Sequence, residues 1–318
     1  MACISDRGRP FSRRIGATRR AVAGALALVA AALAAPAALA AEPLPVVATF
    51  SILGDLVKQV GGDRVAVEVL VGPDGDAHVF SPAPADAKRL TAAKLIVVNG
   101  LGLEGWIARL IKASGSKATV VVASQGVKTI AGEDEDHPGR AATDPHAWQN
   151  VGNTEIYVAN IRDALIKVDP AGKADYDTRA TAYLAELAKL DGEVKAAIAA
   201  IPPDRRRIIT THDAFGYFAR AYGLEIIAPQ GVSTETEASA RDVARVIKQI
   251  KAQKIPAVFL ENISDPRLMD RIAQETGTIV GGKLYSDALS PAGGPATTYV
   301  DMMRSNSAAF KAALAPKS

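Results

Sequence analysis

Three short motifs around histidine hold the residues of this sequence best suited to chemistry. The chain of 318 residues has only four histidines. His146 stands in the run Asp-Pro-His-Ala-Trp, where Pro145 disfavours a helical conformation for Asp144 and so predicts a turn. An imidazole on a turn can point into a cleft, and Trp148 would limit its rotamers. The alternative is a lone histidine anchored beside a tryptophan, and the positions of the other histidines decide between them.

The two other motifs follow predicted strands. His78 lies in Gly-Asp-Ala-His-Val-Phe-Ser-Pro after the second strand of the first half, and His212 lies in Thr-Thr-His-Asp-Ala-Phe after the first strand of the second half. A carboxylate in an equivalent late position is Asp287, in Leu-Tyr-Ser-Asp-Ala-Leu. Ligand sites in open α/β sheets lie outside the carboxyl ends of the strands. Two residues from each half are therefore expected to meet across a cleft.

The donor atoms of this set predict a metal and a type of activity. Three neutral imidazoles and one carboxylate can make a four-coordinate site that suits zinc, and manganese, a harder cation, is the second choice. Four protein ligands leave no coordination position for a substrate or an activated water, which favours binding over hydrolysis. Two other classes stay open: a metal-dependent hydrolase, for which no general base is evident, and an adhesin in which metal only stiffens the structure.

The elements that must position these residues alternate between strand and helix in the first half. Such alternation is typical of βαβ units on a parallel sheet. Strands are predicted at Val46–Phe50, Val65–Val71, Leu95–Val98 and Thr119–Ala123, and helices at Ile52–Val60, Ala83–Ala93, Trp106–Ala113 and, capped by Asn153, Thr154–Val168.

A long helix is predicted next, with Asp169 as its cap and Pro170 in its first turn. It extends to Ala200 and carries one apolar stripe at spacings of four and three. The stripe consists of Tyr176, Ala180, Tyr183, Leu187, Leu190, Val194 and Ile198. About 30 residues at ~1.5 Å rise give a rod of roughly 40–45 Å, longer than one small domain needs. We expect this helix to run along both halves.

The alternation resumes in the second half. Strands are predicted at Ile208–Thr211, Leu224–Ala228, Ala257–Leu260 and Thr278–Val280, and helices at Phe215–Tyr222, Ala238–Gln253, Pro266–Thr276 and Thr297–Leu314. The predicted fold class is α/β, with two lobes that each contain a mainly parallel sheet flanked by helices, joined by one long rigid helix. The expected boundaries are 41–165 for the first lobe, 166–203 for the linking helix and 204–318 for the second lobe.

Residues 1–40 are expected to be an export signal. Arginines precede an apolar, alanine-rich run, and Ala38-Leu39-Ala40 matches a small-residue cleavage site. This segment holds six of the 37 basic and one of the 34 acidic residues, so the remainder has 31 basic and 33 acidic residues, and we expect no nucleic-acid-binding surface. The only cysteine, Cys3, also lies there, which predicts a protein without disulfide or lipid anchor. Sec export is the default, and arginine pairs leave the twin-arginine route open.

The three histidine motifs resemble those of the zinc/manganese solute-binding proteins of ABC transporters, also called cluster A-I or the metal-binding lipoprotein–adhesin family. The resemblance covers essentially the whole mature chain, in the right order. It implies two lobes bridged by one rigid helix, a metal bound in the cleft by His78, His146, His212 and Asp287, and no enzymatic activity. It further implies a monomeric periplasmic protein, with a metal permease and its ATPase as partners and a periplasmic metallochaperone as a further one.

Three departures from that family carry information. The lipid-anchoring cysteine is absent, which suits a free periplasmic protein. The long histidine-rich loop of many zinc importers is replaced by a short acidic loop, 132–138, with the single histidine His137. We expect this loop to be solvated, with weak metal recruitment by His137 as the alternative. Manganese-specific relatives tend to have glutamate where this chain has His212, which favours zinc.

Further carboxylates are expected near the predicted cleft. Histidine ligands usually donate their second ring N–H to a carboxylate or a carbonyl. Asp76, Asp213, Glu235 and Glu261 are the candidates, and the sequence does not say which of them reaches a ligand. Because kinks need proline or a comparable break, we expect metal release to move the loops at 75–82 and 132–146 rather than to bend the long helix. These loops are expected to have few buried contacts.

Overall fold

A computed structural model of the chain describes Ala2, Gly8 and residues 42–133 and 141–315. Apart from Ala2 and Gly8, the predicted export signal lies outside the described residues, as does most of the acidic loop with His137. The remaining chain, Pro43–Ser318, is one compact unit. None of the described helices is long and apolar enough to cross a membrane.

The first sheet is parallel, as the alternation of strands and helices predicts. Its strands are β1 (Leu44–Phe50), β2 (Val65–Val71), β3 (Leu95–Val98) and β4 (Thr119–Val122), in the order β2-β1-β3-β4. Its helices are α1 (Ser51–Gly61), α2 (Pro84–Ala92) and α3 (Ile107–Ser114). All four residues of β3 are buried, as expected for an inner strand covered on both faces.

A short antiparallel hairpin precedes the His146 motif and is absent from the elements predicted above. It pairs β5 (Ala131–Glu133) with β6 (Ala141–Thr143). Three-residue strands of small and polar residues lack the apolar alternation by which strands are recognised. The backbone N–H of Asp144 then donates to the carbonyl of Ile130 at 3.1 Å, so the hairpin leads directly into the motif.

Helix α4 (Val151–Val168) begins three residues earlier than predicted, and its cap is Asn150 rather than Asn153. The Asn150 side chain accepts a hydrogen bond from the N–H of Gly152 at 2.9 Å. The Asn153 side chain instead donates to the carbonyl of Ala147 at 3.1 Å. Both asparagines can cap a helix, but the Asn153 side chain is used in a local contact with Ala147, and Asn150 makes the capping bond.

The long helix α5 (Lys173–Ala199) has 27 residues and the predicted apolar stripe. At ~1.5 Å per residue it is about 40 Å long. Its buried residues are those of the stripe: Tyr176, Ala180, Tyr183, Leu187, Leu190, Val194 and Ile198. The predicted cap is wrong, because a 3-10 turn, Pro170–Gly172, separates Asp169 from the helix. The carboxylate of Asp169 instead accepts hydrogen bonds from Arg64 and from the hydroxyl of Tyr176, each at 2.8 Å.

The second sheet is also parallel and contains strands β7 (Arg207–Ile209), β8 (Glu225–Ile227), β9 (Ala257–Glu261) and β10 (Ile279–Leu284), in the order β10-β9-β7-β8. Its helices are α6 (Gly216–Tyr222), α7 (Ala240–Gln253), α8 (Arg267–Thr276) and α9 (Tyr299–Leu314). Strand β10 continues four residues past its predicted end. A register shift between Val280 and Lys283 includes Gly282, whose φ of +126° is one that glycine adopts readily. Beyond this shift the strand continues toward Asp287.

The long helix contacts elements on either side of it in the sequence. It packs against α1 and α4 and against α6 and α9. One large core includes the first sheet, α5 and the inner face of α9, and a smaller apolar cluster lies between the second sheet and α7 and α8. The lobe boundaries given by the sequence analysis fall within this compact unit and stay a prediction.

Candidate metal centre

The four residues selected from the sequence converge on one buried point. The Nε2 atom of His146 lies 3.2 Å from that of His78 and 3.4 Å from that of His212. Oδ2 of Asp287 lies 3.2 Å from Nε2 of His78 and 3.3 Å from Nε2 of His212, and Oδ1 lies 3.5 Å from Nε2 of His146. One potential ligand atom from each residue lies within 4.8 Å of all the others.

Burying four polar side chains so close together costs free energy unless they share a cation. His78 is 5% exposed, and His146, His212 and Asp287 are fully buried. Neither oxygen of Asp287 has a well-aligned hydrogen-bond partner among the described residues. A buried carboxylate needs hydrogen-bond donors or a positive charge to offset the loss of hydration. The geometry is therefore that of a site for a cation.

The electrostatics of the site follow from this carboxylate. Burial lowers the pKa of His146, but Asp287 and Asp144 more than offset it and raise the pKa to about 9. Burial likewise lowers the pKa of His212, and Glu261 and Asp287 together raise it well above its ordinary value. Burial raises the pKa of Asp287, yet His146 and His212 bring it well below the usual range. An ionised Asp287 thus attracts positive charge to the centre of the site.

His146 is held by the aspartate two residues before it. Oδ1 of Asp144 accepts the backbone N–H of His146 at 2.9 Å and lies 2.8 Å from its Nδ1. This contact directs Nε2 toward the other three residues of the cluster, as carboxylate partners do for histidines that bind metals. From the sequence alone, Asp144 is interpreted only as a turn residue. The Asp-x-His spacing, shared with Asp76 and His78, was the signal that could have identified it.

His212 is held by a glutamate from the neighbouring strand. Oε1 of Glu261, the last residue of β9, accepts the backbone N–H groups of Thr211 and His212 at 2.8 and 2.9 Å. Oε2 lies 2.6 Å from Nδ1 of His212, although the two atoms are not aligned as in a hydrogen bond. Glu261 is thus one of the four candidate carboxylates and the one that reaches the ring of a predicted ligand.

The other three candidates have different positions. Oδ1 of Asp76 accepts the backbone N–H of His78 at 2.8 Å, so the Asp76 side chain contacts the main chain of His78 and not its ring. Glu235 is exposed to solvent. The backbone N–H of Asp213 donates to the carbonyls of Gln230 and Gly231, each at 3.1 Å, which fixes the turn after His212.

Trp148 limits the His146 ring, as expected, and also contacts the segment that carries Asp287. The rings of Trp148 and His146 meet edge to face with centroids 5.3 Å apart. The indole N–H donates to the carbonyl of Ser286 at 2.9 Å, and the side chain of Gln149 donates to the same carbonyl at 2.7 Å. The residue immediately before Asp287 is therefore anchored to the His146 motif.

A partly buried loop after β3 contacts the backbone beside both predicted ligands of the first lobe, His78 and His146. The side chain of Asn99 donates to the carbonyl of Pro145 at 2.9 Å, and Trp106 donates to the carbonyl of Ala77 at 2.8 Å. The carboxylate of Glu104 accepts the backbone N–H groups of Asn99 and Gly100 at 2.6 and 3.1 Å. This loop could not be identified from the sequence, because its one acidic residue, Glu104, lies in no recognisable metal-binding motif.

The ligand-bearing ends of the two loops expected to move are buried, contrary to the sequence-based expectation of few buried contacts. Ala77 and His78 are buried in the first loop, and Asp144 and His146 in the second. The exposed part of the first loop begins at Val79, whose side chain is 52% exposed. Packing around the ligands therefore extends into these loops, which the local composition did not indicate.

The three histidines and Asp287 could together hold one metal ion. Ligation requires neutral imidazoles, so a metal must displace any proton held by His146 or His212. Three nitrogens and one carboxylate would suffice for a four-coordinate metal ion such as zinc. The arrangement is suited to holding one ion.

Comparison with known proteins gives consistent matches over most of the chain. Residues 46–313 match the model of the family ZnuA, described as zinc-uptake complex component A, periplasmic. The manganese-binding lipoprotein MntA of Halalkalibacterium halodurans is 34% identical over 273 residues, 86% of this chain and 89% of that protein. The iron-binding protein YfeA of Yersinia pestis is 33% identical over 258 residues, 81% of this chain and 82% of that protein.

A solved structure supports the same similarity at the level of the fold. The periplasmic zinc-binding protein TroA from Treponema pallidum aligns with a TM-score of 0.80 and 33% sequence identity. The alignment covers 86% of this chain and 100% of the TroA chain. The proteins similar to this chain are thus named for manganese, iron or zinc. The identity of the metal therefore has to be argued from the donor atoms of the site.

Proposed function

The chain belongs to the ZnuA family of periplasmic metal-binding proteins of ABC transporters, and on that premise we propose that it captures Zn²⁺ and delivers it to an ABC-type importer. The observation that carries this proposal is the buried convergence of His78, His146, His212 and Asp287 within 4.8 Å. The family is one of solute-binding transport proteins. A closed shell of four protein ligands agrees with transport rather than with hydrolysis.

The donor set favours zinc over manganese. Imidazole nitrogen is a preferred ligand of zinc, whereas manganese prefers carboxylate, carbonyl and water oxygens. Three of the four donors here are imidazole nitrogens. Manganese is the second candidate because similar proteins, MntA of Halalkalibacterium halodurans among them, are named for manganese.

We further propose a free periplasmic monomer that meets a membrane permease with a cytoplasmic ATPase, and a periplasmic metallochaperone as an additional donor of metal. MntA is named as a lipoprotein. The only cysteine of this chain is Cys3, within the segment expected to be removed on export. Cell fractionation of the exported protein, with and without detergent, tests the absence of a lipid anchor.

The metal proposal is tested by purifying the protein without chelator and measuring its metal content. We expect one zinc per chain, and X-ray absorption should give a shell of three nitrogens and one carboxylate oxygen. Equal concentrations of zinc and manganese offered to the metal-free protein should yield the zinc form. Preferential uptake of manganese would contradict the assignment.

A further inference from the structure

The loop that carries His78 is fixed locally by Asp76. After β2 the chain turns at 72–75, where the N–H of Gly75 donates to the carbonyl of Gly72 at 3.1 Å. One carboxylate oxygen of Asp76, Oδ1, then accepts the backbone N–H of His78 at 2.8 Å. This bond sets the direction of the backbone from which the His78 imidazole extends.

The second oxygen of the same carboxylate reaches the other lobe. Oδ2 of Asp76 accepts the hydroxyl of Thr234 at 2.6 Å, and Thr234 lies in the loop between β8 and α7. The two residues are 158 positions apart in the chain. One side chain therefore joins the backbone of a predicted ligand to a loop on the opposite side of the cleft.

Neighbouring contacts reinforce this connection. The backbone N–H of Asp74 donates to the carbonyl of Leu289 at 3.0 Å, and its carboxylate accepts a hydrogen bond from Asn262 at 2.8 Å. Leu289 is two residues beyond Asp287. The His78 loop is thus attached to the second lobe through both Asp74 and Asp76, and Asp76 is the nearer of the two to His78 in the sequence.

The exposure of the ligands identifies this loop as the outer wall of the site. His78 is the one ligand of the four with measurable exposure, 5% against 0% for the others. Val79, the next residue, is 52% exposed. His78 is therefore the predicted ligand nearest to solvent. Outward movement of its loop would require the hydrogen bond between Asp76 and Thr234 to break.

We propose, on the premise of the metal-binding function above, that Asp76 is a positioning residue for His78 and that its bond to Thr234 slows release of the ion. Asp76 is not among the four residues whose side chains converge at the site. It holds the His78 backbone in place through one oxygen and ties that backbone to the second lobe through the other. A hydrogen bond to a carboxylate is stronger than one between neutral groups, so its loss should be measurable.

The test compares two replacements of Thr234 that differ in the hydroxyl. Thr234→Val keeps the shape and removes the donor, and Thr234→Ser keeps the donor. Zinc-loaded full-length mature protein is mixed with excess chromophoric chelator in a stopped-flow instrument, and the dissociation rate is measured. We expect Thr234→Val to release zinc about tenfold faster than wild type and Thr234→Ser to stay within about twofold. Thr178→Val is the control, because that exposed hydroxyl bonds only to the carbonyl of Ala174 in its own helix.

A double-mutant cycle separates this role from a general structural one. Asp76→Ala should also accelerate release, and adding Thr234→Val to it should change the rate by less than about twofold, because the shared bond is already lost. The proposal would be overturned if Thr234→Val released zinc at the wild-type rate, or if Thr234→Ser released it as fast as Thr234→Val. It would also be overturned if the effects of Asp76→Ala and Thr234→Val on the dissociation rate multiplied in the double variant. Wild-type protein that takes up no zinc would instead overturn the proposed function on which it rests.

Discussion

His146 and His212 are both buried imidazoles with a carboxylate beside Nδ1, but the two carboxylates come from very different places. Asp144 is two residues from His146 and contacts it through Oδ1 alone. Glu261 is 49 residues from His212 and uses both oxygens, one on two backbone N–H groups and one facing the ring. The first arrangement is a property of one turn, whereas the second also depends on the pairing of β7 with β9. The two histidines should therefore tolerate changes in their partners differently.

The largest effect is expected from removing a ligand itself. His212→Ala should weaken zinc binding on the order of a thousandfold, because the metal-binding free energy is shared among four ligands and a closed site has no replacement donor. Competition against a chelator of known affinity measures the change, and circular dichroism checks the fold. His137→Ala is the matched control and should change the affinity little. Equal losses in the two variants would show that the ligands are assigned wrongly.

A smaller but unequal effect is expected from the two carboxylate partners. Glu261→Gln must place an amide NH₂ either against the two backbone N–H groups or toward His212, so we expect a loss of about 10- to 100-fold in zinc affinity. Asp144→Asn can keep a carbonyl oxygen where Oδ1 now lies, so we expect a loss of only a few fold. Isothermal titration with zinc gives both values. A larger loss for Asp144→Asn would refute the contrast between the two partners.

The smallest change is expected in the helix that contacts both lobes. Amide hydrogen exchange with and without zinc should show added protection mainly at 75–82 and 141–146, because those segments carry or adjoin the ligands. Helix α5 has a continuous buried stripe and should exchange equally in both states. Protection changes concentrated in α5, or a large change in radius of gyration by X-ray scattering, would argue for bending of the helix instead.

The fold could be predicted largely because its signals are local. Each strand of the first sheet is a short apolar run followed by a helix or a turn, and the seven stripe residues of α5 are its buried residues. Prediction failed where two nearby residues are equally suited to one role, as Asn150 and Asn153 are to capping α4. It failed as well where the pattern carries no apolar signal, as in the β5–β6 hairpin. It also failed at the end of β10, where Gly281 and Gly282 indicate a break but the strand continues through a register shift.

The candidate site divides in the same way. The four predicted ligands could be chosen from the sequence because each lies in a motif or past the end of a strand, and the structure places them together. Their supports could not be assigned, because the contacts of Glu261 with His212, of Trp148 with Ser286 and of Asp76 with Thr234 join distant parts of the chain. Such pairs depend on how the two sheets are placed relative to each other, which no local pattern specifies.

Anomalous diffraction at the zinc edge, from crystals of the zinc-loaded protein, tests the central claim most directly. We predict one strong peak per chain, bound by Nε2 of His78, His146 and His212 and by the carboxylate of Asp287, with Zn–N distances of about 2.0–2.1 Å. A peak elsewhere on the chain, or an ion held by residues of only one lobe with water in the remaining positions, would contradict it.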